Sequence, residues 1–435
     1  MNSLLSRRII SQPKLYKRII LTRTICNSFS LYHSNCQHQH QHQQQQQPQQ
    51  EVAKTMQAIE YHGNRNLKYV TDRPIPEITH PHDVKIKISH CGICGSDLHE
   101  YLDGPIFFDG EINAVSKKKK LGQCLGHELC GVITEVGSDV SHHLQPGQHV
   151  VLEANGSCLD KKYLQQLQEE QNDVCSACAH GRYNACKRLG FYGLGYDNGG
   201  FAEYIVASEN KVIPYDANII PDEVAALVEP LAVSWHGVRQ SKIEECKSPQ
   251  ALILGGGPIG LCTIFALKGH KVTDIVVSEP AEGRRELAQS FGVKTFNPFD
   301  YKDAEIQIKE LLKMTKTNSG FTHVYDCSGN KATFNTMLKV LATGGVGTNV
   351  AIWPKVPIDF YPMDLTLNEL YLTASMDYTK IDFELVVKAF ETGLIDPKEA
   401  AKLVSKKVPL RDGIEHGILD LINNKEKYIK ILLHP

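Results

Sequence analysis

The feature that most constrains the fold is one short stretch, Ala251-Leu252-Ile253-Leu254-Gly255-Gly256-Gly257-Pro258-Ile259-Gly260. Ala251–Leu254 reads as a buried strand, and the apolar residues through Leu267 read as a helix. Between them the glycines fall as Gly255-x-Gly257-x-x-Gly260, and Glu279 ends the next strand, Ile275–Glu279, about 20 residues on. A glycine spacing alone would be weak. A strand before it, a helix after it and an acid at the next strand end make it specific. The glycines permit a tight turn and let the backbone approach a pyrophosphate. The helix N-terminus adds N–H donors and a favourable dipole. Glu279 is placed to accept from both hydroxyls of the adenosine ribose, and Arg284 follows close by. The stretch therefore predicts a dinucleotide site.

Strands continue to alternate with helices beyond it. His323–Cys327 and Val346–Ala351 read as strands, Arg284–Phe291 as a helix. That alternation predicts a doubly wound parallel sheet over 230–375. Upstream, over 56–229, the chain reads as mostly β. Val84-Lys85-Ile86-Lys87-Ile88 alternates with period two, and Gly131–Gly137, His149–Leu152 and Gly199–Val206 supply further strands. Pro221–Gln240 reads as helical, with Pro230 marking a start or a kink. After Met376, a helix near Phe383–Thr392 and a strand at Tyr428–Leu433 form a segment, 376–435, expected to rejoin the first domain. The fold class is α/β, a mostly-β domain plus a parallel-sheet domain.

Residues 1–50 contain no Asp or Glu but carry Arg7, Arg8, Lys14, Lys17, Arg18 and Arg23. That bias is expected of a mitochondrial transit peptide. A second, cytoplasmic form starting near Met56 is a further expectation. Gln37–Gln50 is almost all Gln and His, too polar to bury a core, so 1–55 is read as leader and spacer. Lys117–Lys120 reads as a solvated insertion loop. A net charge of −2 gives no broad imbalance that would point to nucleic acid, and no apolar run is long enough to span a membrane. The 13 cysteines, several in Cys-x-x-Cys pairs, favour metal ligands and free thiols over a disulfide framework.

A second constellation carries the chemistry. Cys91-Gly92-Ile93-Cys94-Gly95-Ser96-Asp97-Leu98-His99 and Gly126-His127-Glu128 offer a thiol, an imidazole and a carboxylate. Zinc takes such ligands, and a catalytic site keeps one position open. Cys94, His127 and Glu128 are the candidates, although Cys91 and Cys94 also make a pair that a structural site could use. Ser96 and His99 follow Cys94 at offsets suited to a proton path. Ser96 would take a hydroxyl proton and His99 would pass it towards solvent. Asp97 could orient a ligand imidazole from behind.

With Gly126-His127-Glu128-x-x-Gly131-x5-Gly137-x-x-Val140, this stretch resembles the zinc-containing medium-chain alcohol/polyol dehydrogenases. Cys91–Phe107, Ala225-Ala226-Leu227-Val228-Glu229-Pro230-Leu231 and Gly257–Cys262 are most similar to the fungal (R,R)-butanediol dehydrogenase branch. The resemblance runs from about Met56 to the C-terminus. It implies a GroES-like catalytic domain around a Rossmann domain, and Glu229 as a further zinc ligand, directly or through water. It implies oxidation of a vicinal diol or secondary alcohol by NAD, with 2,3-butanediol and acetoin as the expected pair. Sorbitol- or xylitol-type polyol oxidation is the alternative, and a non-catalytic zinc- and nucleotide-binding relative the rival of another class. The segments Gly195–Gly199 and Ala351–Lys355 depart from the butanediol enzymes. A homo-oligomer is expected.

Related dehydrogenases carry a four-cysteine zinc lobe spaced Cys-x2-Cys-x2-Cys-x7-Cys. This chain supplies Cys175, Cys178 and Cys186, with Asn172 at the first position. A closed structural zinc site needs four ligands. Cys158, upstream, is expected to return as the fourth at modest loop-closure cost.

Overall fold

The structure is a computed structural model that describes residues 54–106, 121–160 and 174–435. The leader, the Lys117–Lys120 run and Asn172 lie outside the described residues. Strand β1 (Asp83–Gly92) buries Val84, Ile86 and Ile88 and turns Lys85 and Lys87 outward, as its alternation requires. It pairs antiparallel with β2 (Glu128–Val136), which pairs with β3 (His149–Leu152). Strand β4 (Tyr204–Ser208) also lies on β1, and β5 (Val212–Pro214) extends the sheet beyond β3.

From Gln250 the pairing becomes parallel. Strands β6 (Gln250–Leu254), β7 (Asp274–Ser278), β8 (Lys294–Phe296), β9 (Phe321–Asp326), β10 (Leu341–Asn349) and β11 (Tyr371–Ala374) stand in the order β8-β7-β6-β9-β10-β11. All five residues of β6 are buried, because helices cover both faces of such a sheet. The strand order reverses beside β6, and ligands bind at that switch point, outside the carboxyl ends of the strands.

Four helices matter to the site: α1 (Gly95–Asp103), α2 (Val228–Gln240), α3 (Pro258–Gly269) and α4 (Lys380–Glu391). Leu261, Ile264, Phe265 and Leu267 of α3 are essentially inaccessible and pack into the core that also holds Leu231 and Trp235 of α2 and Val386 and Phe390 of α4. Burying each such side chain contributes about 1.5–3 kcal/mol. Strands β12 (Val404–Pro409) and β13 (Lys430–His434) then carry the chain back. β13 pairs antiparallel with β1, setting Leu432 opposite Gly92 and Leu433 opposite Cys91.

Several elements differ in extent from the sequence reading. Pro221–Gln240 is two helices, Asp222–Ala225 and α2, and Pro230 lies in the first turn of α2. A proline is tolerated there because its missing N–H would have had no partner within the helix. The closing strand starts at Lys430 rather than Tyr428, and Glu279 falls just past β7.

Candidate functional site

Three neighbouring strands bring the metal candidates together. β1 ends at Gly92, opposite Glu128 at the start of β2, with β13 on its other side. Cys94 then caps α1. A sulfur, an imidazole nitrogen and a carboxylate oxygen of Cys94, His127 and Glu128 lie within 4.8 Å of one another. Gly92 is required by this approach, since a Cβ there would stand 2.1 Å from Glu128 Oε2. Cys91 points elsewhere: its thiol is fully buried and packs against Gly126 and Gly200.

Asp97 braces the group. Its Oδ2 accepts from the Cys94 N–H at 2.9 Å and its Oδ1 from the Gly126 N–H at 3.1 Å. Oδ1 also stands 3.5 Å from His127 Nδ1, while Ser96 Oγ lies 3.2 Å from His127 Nε2. One ring nitrogen therefore faces a buried carboxylate and the other the hydroxyl. Burial lowers the His127 pKa, but Asp97 and Cys94 outweigh that and hold it well above the ordinary imidazole value. The pocket favours positive charge. His99 is not against Ser96. It lies one turn on along α1, exposed, with Nδ1 at 3.7 Å from Asp103. Glu229 stands outside the three-residue group, buried at the start of α2. Burial raises its carboxyl to about 7, with His127 opposing and Glu128 reinforcing the shift.

The dinucleotide residues line a cleft of about 730 Å³ at the switch point, bounded by Gly255, Glu279, Arg284, Ser328 and Thr333 among others. Gly255 has φ +102°, and a Cβ on Gly260 would meet the Gly255 carbonyl at 1.8 Å. Gly257 caps α3, whose first turn faces the turn. Glu279 is already engaged: Oε2 accepts from the Gly256 N–H at 2.6 Å and Oε1 from the Ala281 N–H at 2.8 Å. Each oxygen keeps a lone pair for a ribose. Arg284 Nη2 donates to the Lys425 carbonyl at 2.7 Å.

A second cluster gathers Cys158, Cys175, Cys178 and Cys186, all buried, with sulfurs within 4.8 Å of one another. Cys158 Sγ is 3.3 Å from Cys186 Sγ and accepts from Arg188 Nη1 at 3.3 Å. Backbone N–H groups of Cys178 and Lys187 pull the Cys175 thiol down to about 6.

Comparison with known proteins fits this geometry. Residues 80–221 match the alcohol dehydrogenase GroES-like domain, and residues 258–392 match the zinc-binding dehydrogenase family. The (R,R)-butanediol dehydrogenase of Saccharomyces cerevisiae is 44% identical over 382 residues, covering 87% of this chain and 98% of that one. A probable diacetyl reductase ((R)-acetoin forming) of the same yeast is 41% identical, covering 87% and 90%. The crystal structure of 2R,3R-butanediol dehydrogenase from Bacillus subtilis superimposes with a TM-score of 0.73 at 30% identity, covering 87% and 99%.

The chain belongs to the zinc-binding alcohol dehydrogenases. It is an enzyme of that family, with a GroES-like domain and a Rossmann-like parallel sheet, and it works with zinc and a nicotinamide cofactor.

The residues of this dehydrogenase fit a metal. Glu128 Oε2 is buried with no hydrogen-bond partner among the described residues, beside a thiol and an imidazole. Such an orphaned carboxylate oxygen is costly unless a cation or donor meets it. The other oxygen, Oε1, accepts from Lys430 Nζ at 2.6 Å, and Lys430 also donates to the Ile93 carbonyl at 3.2 Å. Sequence reasoning missed Lys430. Its signal was a single cation inside the apolar run Tyr428–Leu433, at a position the strand buries. Burial lowers its pKa, and Glu128 and Cys94 more than restore it, so the ammonium stays charged.

Proposed function

We propose that this dehydrogenase oxidises a vicinal diol at a secondary carbinol, with (R,R)-2,3-butanediol yielding acetoin and NAD⁺ taking the hydride. The observation that carries this reading is the Cys94–His127–Glu128 group with Ser96 against His127. The substrate follows the relatives named for butanediol and diacetyl. Zinc held by the three side chains supplies Lewis acidity to the alcohol oxygen. The nicotinamide supplies the hydride acceptor. Asp97 orients His127 through Nδ1, which leaves Nε2 to the metal. Ser96 would take the substrate hydroxyl proton as it releases its own to solvent, and His99, exposed one turn on, would receive that proton through water. Glu229, buried beside His127 and Glu128, answers changes in charge at the centre.

Glu279, held beside the cleft by two backbone N–H donors, would repel a 2′-phosphate, so NAD is the cofactor. Arg284, whose Nη2 donates to the Lys425 carbonyl, also lines the cleft, and its charge would lessen that preference without reversing it. The four-cysteine lobe takes a second, structural zinc through Cys158, Cys175, Cys178 and Cys186. The acid-free leader directs the chain to mitochondria, and initiation near Met56 gives a cytoplasmic form. The protein is a homo-oligomer. In support, edge strand β11 exposes Tyr371 and Leu372, and Leu367 and Met363 beside it are exposed too.

Purified protein given (R,R)-2,3-butanediol and NAD⁺ should form acetoin and NADH in equal amounts. Failure to form acetoin, or equal or better kcat/KM with NADP⁺, would contradict the substrate and cofactor readings respectively.

A further inference from the structure

The four-cysteine lobe carries a cation in direct contact with one of its sulfurs. Cys158 comes from outside the Cys175–Cys186 run, and the pairing of two short strands delivers it. Asn155–Gly156 pairs antiparallel with Gly190–Tyr192, setting Gly156 opposite Gly190. Continued outward on both strands, that register brings Cys158 towards Arg188. Arg188 Nη1 donates to Cys158 Sγ at 3.3 Å. The chain turns from Cys186 to Leu189, closed by the Leu189 N–H on the Cys186 carbonyl at 3.2 Å. Within that turn the Arg188 N–H donates to Cys186 Sγ at 3.3 Å. The Cys158 N–H reaches the same sulfur at 3.4 Å. Arg188 thus touches two sulfurs of the group, one through its guanidinium and one through its backbone.

The group fits a closed structural zinc site: the four sulfurs belong to buried residues and lie within 4.8 Å of one another. Cysteines bind zinc as thiolates, and four of them overbalance the charge of Zn²⁺. A buried excess of charge is costly unless it is paired and hydrogen-bonded. A guanidinium is always charged and carries its donors in a rigid plane. Arg188 is half-buried, so its attraction for the sulfurs is screened less than that of a surface cation.

We propose that Arg188 is a positioning residue for the lobe's zinc. Its guanidinium offsets the charge of the four thiolates and holds Cys158, the ligand that the Cys175–Cys186 run does not supply, on the metal. This rests on the structural-zinc reading of the lobe and adds to it the residue that sets how tightly the zinc is kept.

The test is the rate at which native enzyme loses zinc to excess chelator, for wild type, Arg188→Met and Arg188→Lys. A zinc-sensitive dye and elemental analysis follow the metal. Activity sampled in parallel reports the catalytic zinc, so the lobe zinc is the metal that leaves while activity persists. Met keeps the length of the side chain without its charge, and Lys keeps the charge and can make the single contact to Cys158. Outer partners of metal ligands typically set affinity by ten- to a hundredfold, so the lobe zinc should leave Arg188→Met on the order of ten- to a hundredfold faster than wild type. Arg188→Lys should stay near the wild-type rate. A wild-type rate in Arg188→Met would overturn the role of Arg188 alone. Equally fast loss from both variants would overturn the charge argument, since shape would then be what matters. If Arg188→Met does not fold, Arg188→Gln takes its place with the same outcomes. A wild-type protein holding a single zinc per chain would overturn the structural-zinc reading and this inference together.

Discussion

At the scale of single residues, the candidate metal ligands meet because β1 ends where β2 begins. Replacing Cys94 with Ser or His127 with Ala should remove the catalytic metal and nearly all turnover, while the cleft around Gly255 and Glu279 still binds dinucleotide. Metal content by mass spectrometry with an NADH fluorescence titration reads both; substantial activity in a well-folded variant would refute the ligand assignment. Ser96→Ala should keep its zinc and lose about 10²–10⁴ in kcat. Lys430 gives a different kind of prediction. Its ammonium and Glu128 form a buried pair, and removing one partner of such a pair costs about 3–5 kcal/mol. Lys430→Met should therefore lower the unfolding free energy of metal-free protein by about that amount in urea titrations. A change under about 1 kcal/mol would mean that solvent already screens the pair.

At the scale of elements, the glycine turn and its flanking strand and helix were legible because local sequence dictates them. Gly255 needs its positive φ and Gly260 has no room for a Cβ, whatever the rest of the chain does. The role of Lys430 was not legible. It depends on a pairing between strands hundreds of residues apart, which no local period encodes. His99 shows the reverse: its offset from Ser96 was right for a shared helix face, but the helix turns it to solvent. The cysteine lobe lies between these cases. Three of its thiols announce themselves by spacing, and Cys158 joins them only through the fold. Native protein should hold two zincs per chain. Cys158→Ser should hold one, melt at lower temperature and keep most of its activity, as zinc analysis and a thermal scan would show. Two zincs retained in that variant would exclude Cys158 as a ligand.

At the scale of the whole molecule, a GroES-like body and a parallel sheet share one chain that leaves the body after α2 and returns through β12 and β13. The return is functional as well as architectural, since β13 delivers Lys430 to Glu128. Residues 1–36 fused to a soluble reporter should enter mitochondria, and a chain starting at Met56 should keep full activity. A reporter that stays in the cytosol would refute the targeting proposal. The central claim, zinc-dependent oxidation of a vicinal diol by NAD⁺, is tested most directly by steady-state kinetics on the three 2,3-butanediol stereoisomers and sorbitol, with and without chelation. The (R,R) isomer should show the highest kcat/KM, abolished by chelation and restored by zinc. A higher kcat/KM for sorbitol, or activity indifferent to metal removal, would contradict it.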